Sequence, residues 1–568
     1  MVVDYDGDCL TIKTLNNPLW KRIKEVAENT RHPSAYDTKT GVWYIKGTKR
    51  VAHELKEIGI PFSAAASIFL REKNKPTLFD FSILSKELFP FQQDGVHWLN
   101  NPGNKLLADE MGLGKTVQIA ALFRYRPDLL PALIIVPASL KINWQREIEL
   151  LSGVKAQIIY GRAFYEIDEL LEKYPVVIVN YDILGIEDQV AKEAEEKRIK
   201  KLKADNLPFR RNTVRVHGWC DIFSKLPFNS IICDEVQYIS EGKNIRTRAV
   251  KQICRERKDA KRIFLSGTPY ENKTRQFFTC LNLLAPHVFP NEWKYKMTYC
   301  DPRKNGFGWR FDGLSNGRQL HALITPLMLR RLKADVLKQL PPKQKFIVPM
   351  ELDNKKLGSY HAIESQFDND LMNKKEPSFS GMKIEAFRAK RDAVVQWLKD
   401  YLETSIQKKL VVFTWHHEVM DDFRKVFGDI GVYVTGETAI KDRQIAVDRF
   451  QTDKKIQLFF GNIQACCVGL TLTAAEACCF VEFGNSPGQH IQGEDRVHRI
   501  TQESDSVFAY YLIAPGTIEE DIMEVLTDRN KNQKIVLDGK EDDAFFGKAM
   551  EDFKSGILQA YKKRRSII

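Results

Sequence analysis

Two series of short β-branched and aromatic runs, each run followed by a helical pattern, constrain this chain more than any other feature. The first series is ALIIV (132–136), VVIV (176–179), IIC (231–233) and RIFL (262–265). The second is KLVVF (409–413), VYV (432–434), IQLFF (456–460), CFVEF (479–483) and VFAYYL (507–512). Runs so short and so continuously apolar are strands covered on both faces, and strands alternating with helices join in parallel through crossovers. The expected fold class is therefore α/β, with two parallel-sheet lobes in tandem and helical insertions. At 568 residues the chain is too long for one core, since single cores stop growing near ~250–300 residues. A polar stretch, REKNKPT, closes a small unit over residues 1–77, expected to be α+β, ahead of FDFSILSKELFPFQ. The lobes are expected over 78–345 and 346–535, followed by a basic tail over 536–568 that ends YKKRRSII.

Hydrophobic residues make up 43% of the chain and charged residues 28%, and no apolar run approaches the ~20 residues that span a bilayer. That pattern speaks against a membrane protein. The start, MVVDYDGDCL, has neither a basic nor an apolar leader segment. The expected location is thus inside a cell: the cytoplasm of a bacterium or of a virus-infected host, or the nucleus in a eukaryote. Ten cysteines, several within apolar runs (Cys233, Cys478, Cys479), fit reduced and buried thiols, and no CxxC or Cys/His spacing points to zinc. A net charge of +12 favours a polyanionic partner. Between Tyr181 and Ile231 lies a charged insertion whose residues 191–215 carry nine basic and four acidic side chains. It reads either as a solvated helix and loop or as an element that faces a polyanion.

The segment ADEMGLGKT (108–116) follows Leu106 and Leu107 and precedes the helical pattern VQIAALFRY, the context of a phosphate-binding loop. Gly112 and Gly114 let backbone N–H groups turn toward phosphate oxygens, Lys115 offers them a point charge, and Thr116 offers a hydroxyl for Mg²⁺. Asp109 stands where GxxxxGK(S/T) has its first glycine. In IICDEVQ (231–237) a buried strand runs into two acids. Asp234 is suited to bind Mg²⁺ through water, and Glu235 to polarise an attacking water. Acids at the C-terminal end of a parallel strand sit where open sheets bind ligands. In QGEDRVHRITQ (492–502), Arg496 and Arg499 lie three apart, a spacing that puts both on one helical face, able to reach one γ-phosphate. The cofactors expected from these elements are ATP and Mg²⁺. The bland alternatives are a chance GKT, a surface acidic pair and a solvated basic helix face.

In chain order, FPFQQDGVHWL, DEMGLGKT, IIVPASLKINWQREI, VVIVNYD, DEVQ, LSGTP, MLRRLKADVLKQLPPK, VVFTWHHEV, GLTLTAA and QGEDRVHRITQ resemble the motif series of the Swi/Snf-like family of helicase-like DNA translocases. The resemblance runs from residue 86 to about 525. Within the family, LRRLKADVLKQLPPK and the VFxxHH pattern at 412–417 are most similar to the annealing-helicase subgroup. The segment AYDTKTGVWYI (35–45) is similar to the small HARP domain that precedes the motor in that subgroup. The resemblance implies two RecA-like lobes and a DNA-dependent ATPase. It implies that Gln92 reads the adenine edge, that Asp109, Gly112 and Gly114 shape the ATP loop, and that Lys115, Thr116, Asp234 and Glu235 do the nucleotide chemistry. Ser266 and Thr268 of SGTP, with Gln237, would couple hydrolysis to movement. Gly469, Thr471 and Thr473 would follow the tracking strand, while Gln492, Arg496 and Arg499 would reach the nucleotide from the second lobe. The implied partner is double-stranded or branched DNA, held through its phosphates without sequence preference by a monomer.

Three positions depart from the family pattern. Gln237 stands where His is usual, Thr501 replaces the glycine of HRIGQ, and Asn485 occupies a position that often holds Trp. Glutamine still donates and accepts hydrogen bonds, so Gln237 bears on coupling more than on hydrolysis. The expected function is an ATP-dependent DNA translocase that anneals or remodels forks. A motor that displaces DNA-bound proteins and a nucleotide-gated DNA clamp with little turnover are the alternatives. Within residues 1–77, Trp20, Lys21, Arg22, Arg31, Tyr36, Trp43 and Tyr44 suit stacking on an unpaired base beside a phosphate, or else the aromatics fill a small core.

Overall fold

The computed structural model describes residues 3–5, 9–13, 20–29, 34–37, 42–46, 49–57, 60, 63, 79–162, 170–205, 207, 214–240, 242–305, 308–372, 379–466, 470–499 and 502–540. None of the described helices is long and apolar enough to cross a membrane. The chain divides into two compact units, one comprising residues up to Leu332 together with Ile535–Gly539, the other Lys333–Lys534.

The first unit begins with an antiparallel sheet of β1 (Val3–Tyr5), β2 (Cys9–Lys13), β3 (Ser34–Asp37) and β4 (Val42–Lys46), in the order β1-β2-β4-β3. Alternate residues Leu10, Ile12, Trp43 and Ile45 face Ile23, Ala27, Val51 and Leu55 of helices Trp20–Asn29 and Lys49–Glu57. This is the expected α+β unit. Trp43 belongs to its core, with Tyr36 against it at 5.0 Å between ring centroids. Tyr44 stacks on His287, also at 5.0 Å. Trp43 thus fills the core, whereas Tyr44 is half-buried and stacks outside it. The side chains of Trp20, Lys21 and Arg22, and all of Arg31, lie outside the described residues.

The main sheet of this unit comes from β5 (Lys105–Leu107), β6 (Ala132–Val136), β7 (Ala156–Ile158), β8 (Val176–Asn180), β11 (Ser230–Asp234), β12 (Lys261–Leu265) and β15 (Met328–Leu329). Between them lie a ribbon of β9 (Ile186–Glu187) and β10 (Val216–His217) and a hairpin of β13 (Pro302–Asn305) and β14 (Gly308–Phe311). The main strands are parallel, in the order β15-β5-β12-β11-β6-β8-β7. Successive residues of one strand enter different cores. Leu133, Ile135, Val177, Val179, Ile231 and Cys233 pack under helices Trp219–Lys225, Ile245–Glu256 and Phe278–Leu284. Ile134, Val136, Val176, Ile178, Ile232 and Ile263 pack under Pro90–Asn100, Lys115–Tyr125 and Lys141–Ser152. Covering both faces is what makes these strands read as unbroken apolar runs.

The second unit repeats the plan with β16 (Lys343–Pro349), β17 (Leu410–Thr414), β18 (Gly431–Val434), β19 (Leu458–Asn462), β20 (Ala477–Phe480) and β21 (Val507–Ile513). All pairs are parallel, in the order β16-β21-β20-β17-β19-β18. Val411 and Phe413 enter one core, and Leu410 and Val412 the other.

Two boundaries differ from expectation. The first unit gives way to the second at Leu332 and Lys333 rather than at 345, because the motif MLRRLKADVLKQLPPK serves both: β15 completes the first sheet, whereas Lys333 and Lys343 are paired with Asp495 and Glu494 of the second unit. The tail expected from 536 begins inside the helix Ile518–Asp538, whose last turn belongs to the first unit. In the charged insertion, residues Gln189–Ala204 form a helix in which Ile199 is buried and Arg198 pairs with Glu195 at 2.7 Å.

Candidate active site

Strand β5 delivers the loop 108–114 into the helix Lys115–Tyr125, at the C-terminal end of the sheet. Gly112 and Gly114 have φ of 85° and 75°, backbone that residues with a Cβ rarely adopt. A Cβ on Gly114 would also come within 2.4 Å of the Gln92 amide nitrogen. Gln92 is buried: its Oε1 accepts from Phe89 N–H at 3.1 Å and its Nε2 donates to the Leu113 carbonyl at 3.2 Å. The glutamine therefore caps its own helix, which starts with Pro90 at the first position, and braces the loop at the same time. Lys115 Nζ donates to the carbonyls of Asp109, at 2.8 Å, and Glu110, at 3.4 Å. Thr116 follows it, half-buried, in the first helical turn.

Asp109 departs from the nucleotide-binding role expected of it. Its side chain is fully buried and accepts from Arg331 Nε at 2.9 Å, Arg331 Nη2 at 2.5 Å and Gln118 Nε2 at 3.0 Å. Arg331 also donates to the Phe91 carbonyl and to Gln118 Oε1, and lies over the Phe91 ring. Its neighbour Arg330 donates to the carbonyls of Ala108, at 3.0 Å, and Gly267, at 2.9 Å, and pairs with Asp538. Two arginines thus pin the phosphate loop to the Gln92 helix and to the SGTP segment. Sequence reasoning quoted LRR as a motif but gave these side chains no role. The available signal was a pair of adjacent cations within an otherwise apolar stretch, in a chain with an odd acid at 109.

Asp234 ends β11. Its Oδ2 accepts from Trp144 Nε1 at 2.8 Å and its Oδ1 from the Glu235 N–H at 2.9 Å. Burial, reinforced by the charge of Glu235, raises the pKa of its carboxyl, while Lys115 acts in the opposite sense. Glu235 takes the left-handed conformation, φ 51° and ψ 57°, a strained position for a residue with a side chain. That turn presents its carboxylate to a polar chain. Gln237 Nε2 donates to Glu235 Oε2 at 2.8 Å, Ser266 Oγ donates to Gln237 Oε1 at 2.6 Å, and the Thr268 N–H donates to Ser266 Oγ at 3.0 Å. The structure therefore brings together Glu235, Gln237, Ser266 and Thr268, and Gln237 uses both ends of its amide as a bridge.

In the second unit, Gln492 and Arg496 are buried on the helix Pro487–Val497, and Arg496 donates to the carbonyls of Gln492, at 2.9 Å, and Leu470, at 3.0 Å. Arg499 lies beyond the end of this helix, not on its face as expected, because His498 leaves helical geometry at φ −100° and ψ 78°. It still nears Arg496: burial, then the charge of Arg496, lowers its pKa to about 9. Arg499 Nη1 donates to Thr471 Oγ1 at 2.6 Å, and the Leu472 N–H donates to the Arg496 carbonyl at 2.9 Å. Thr471 is thus wired to the arginines rather than standing apart from them. Thr473 accepts from Gln451 Nε2 at 3.4 Å. Gly469 and Thr501 lie outside the described residues. Asn485 accepts from Lys383 Nζ at 2.9 Å. The acids of the same motif are anchors: Glu494 meets Lys343 at 2.8 Å and Lys345 at 2.7 Å, and Asp495 meets Lys333 at 2.9 Å.

A glycine-turned loop with a lysine, followed on a neighbouring part of the sheet by two carboxylates, one of them linked through Gln237 to a hydroxyl, can bind a polyphosphate and activate a water beside it. The sequence comparisons agree with that chemistry. The chain matches the model of the SNF2-related domain over residues 91–443 and that of the helicase conserved C-terminal domain over residues 393–501. The SWI/SNF-related matrix-associated actin-dependent regulator of chromatin subfamily A-like protein 1 of Xenopus tropicalis is 30% identical over 465 residues, 79% of this chain and 45% of that protein. Its Caenorhabditis elegans homolog is 30% identical over 458 residues, 78% of this chain and 61% of that protein. The DNA annealing helicase and endonuclease ZRANB3 of Bos taurus is 30% identical over 473 residues, 81% of this chain and 41% of that protein. The chain therefore spans between 41 and 61% of the length of these relatives. With the SNF2-related model matched over more than half of its length, the chain belongs to the SNF2-related family.

Proposed function

We propose that this chain is an ATP-dependent DNA translocase that anneals or remodels forked DNA. Its parts would be an accessory unit in residues 1–77, an ATP-binding lobe from residue 78 and a helicase C-terminal lobe. The observation that carries the reading is the unbroken hydrogen-bond chain from Glu235 through Gln237 and Ser266 to Thr268, beside the phosphate loop. A site that only bound nucleotide would have no use for a water-activating acid tied to a second segment.

In this reading Lys115 exchanges the Asp109 and Glu110 carbonyls for phosphate oxygens, and the N–H groups around Gly112 and Gly114 hold the same phosphates. Thr116 and Asp234 fit Mg²⁺: one carboxylate and one hydroxyl, completed by water and phosphate oxygens, is its ordinary donor set. A nearby cation would also relieve the burial of the Asp234 charge. When bound, the ion supplies positive charge to the β- and γ-phosphates. Glu235 orients the attacking water and takes its proton, and Gln237 holds that carboxylate in place. Arg496 and Arg499 are the cations suited to stabilise the charge that develops on the γ-phosphate. Because Arg499 is bonded to Thr471, a change at the nucleotide reaches the segment proposed to follow DNA. The similarity to an annealing helicase and the +12 charge support DNA as the partner.

Steady-state ATPase activity measured with no DNA, single-stranded DNA, duplex and forked DNA tests the proposal. Stimulation by duplex or fork is expected, and equal turnover in all four overturns it. A chain starting at residue 78 should keep DNA-stimulated ATPase but lose annealing and fork regression. If it anneals as well as the full chain, a motor that displaces DNA-bound proteins becomes the better reading.

A further inference from the structure

The hairpin β13–β14 is used by neither the nucleotide site nor the segment around Thr471. Its pairing sets Lys304 opposite Trp309 and Arg303 opposite Arg310. Trp309 and Phe311, two apart on one strand, share a face of the ribbon. Their rings lie 15° from parallel, with centroids 6.4 Å apart. Trp293, from the helix Glu292–Tyr299, stands edge-on to both, at 90° to Trp309 and 81° to Phe311. Folding has not buried this cluster: Trp293 is 54% exposed and Trp309 42%. Single exposed apolar residues are ordinary, but two large indoles held rigidly together at the surface are an uncovered face.

The surrounding charges say what covers it. The acids nearby are paired: Glu292 with Lys296 at 2.5 Å, Asp301 with Arg303 at 2.8 Å and Asp312 with Lys273 at 2.6 Å. Among the described residues no salt bridge involves Lys294, Lys304 or Arg310. Lys304 is the cross-strand partner of Trp309, and Lys296 Nζ lies 6.0 Å from the Phe311 centroid. On the other face of the ribbon Arg310 lies across from Arg303, whose charge is already met by Asp301. Flat rings with cations beside and behind them match alternating bases and phosphates; a protein partner's apolar patch would not need the cations.

We propose that the β13–β14 hairpin, with Trp293, is a stacking platform for the unpaired bases of single-stranded DNA, Trp309 being its principal residue. The proposal rests on the reading of the chain as a DNA motor, and gives that motor a place to hold one strand apart from its duplex contact.

The test is equilibrium binding of a labelled oligo-dT and a blunt duplex to the full chain, by fluorescence anisotropy, for wild type, Trp309→Ala and Trp309→Phe. Stacking on one base predicts that Trp309→Ala weakens oligo-dT binding about 10-fold, with duplex binding and duplex-stimulated ATPase unchanged within about 2-fold. Trp309→Phe, which keeps a ring, should recover most of the loss. Unchanged oligo-dT affinity in Trp309→Ala, or an equal loss for oligo-dT and duplex, overturns the platform and leaves the motor reading standing. Wild-type protein that binds duplex but no oligo-dT does the same, whereas binding of neither removes both.

Discussion

Arg331→Met should loosen the phosphate loop by an amount that the geometry allows to be worked out. The Asp109 carboxylate has no exposure and the Arg331 side chain 13%, so removing the guanidinium leaves a charge in the interior without its counterion. Breaking a buried pair from one side costs about 3–5 kcal/mol, and the lost bonds to Phe91 and Gln118 fall in the same region. Because two units can unfold separately, a global melting curve is the wrong measurement. Hydrogen exchange at the amides of the helix Lys115–Tyr125 reports the opening of this region directly. At about 1.4 kcal/mol per decade, exchange there should quicken by roughly 10²- to 4 × 10³-fold, with the second sheet unaffected. Adding Asp109→Asn removes the orphaned charge and should restore a measurable part of the protection, whereas independent sites would simply add. Exchange within about 3-fold of wild type in Arg331→Met, or a double variant no better than the single one, would refute the account.

In the nucleotide site, Lys115→Ala, Glu235→Gln and Arg499→Ala should each lower DNA-stimulated turnover by at least about 10²-fold; near wild-type turnover in Arg499→Ala would remove the second unit from the chemistry. Gln237→Ala should retain ATP binding but lose DNA stimulation, and Gln237→His, which also donates and accepts, should keep it; stimulated ATPase and nucleotide titration separate the two. Glu494 is pushed up by burial but held at about 2 by Lys343 and Lys345, below its ordinary 4.5. A lowered carboxyl pKa stabilises the fold above the unfolded value and loses that contribution as pH falls. The stability gap between wild type and Glu494→Gln should therefore be full above about pH 5 and narrow toward pH 2, read by denaturant unfolding of the second unit; a gap independent of pH would contradict the pairing. DNA affinity should fall linearly on a log–log plot against salt concentration, and a salt-insensitive complex would mean that phosphates are not the main contact.

The two sheets were legible because a strand covered on both faces has no alternation to disguise it: every apolar run named from the sequence lies in or against a strand of the described sheets. The short strands escaped. β15 has two residues, and β7 reads AQI with no apolar run to announce it. The loop and the acidic pair proposed for the nucleotide site stand out in the sequence because their spacing is local: Gly112, Gly114 and Lys115 lie in one turn, and Asp234 and Glu235 are adjacent at the end of β11. What was not legible is long-range pairing. The partner of Asp109 lies 222 positions along the chain, and that of Lys333 in the motif at 492–502, so neither pairing shows in local spacing. Arg499 shows a different limit, since a three-residue spacing implies a shared face only while the helix continues.

The pairing of Asp109 with Arg331 also bears on how the protein is made. The two residues are 222 positions apart, and β5 waits for β15 across the same stretch. At ~5–20 residues per second, a ribosome that has just finished the phosphate loop needs about 10–45 s more before the arginine exists. Throughout that interval the loop's acid has no counterion and one edge of the first sheet is open. The brace that Arg331 gives the loop is therefore made only after residue 331 has emerged, late in the synthesis of the first unit.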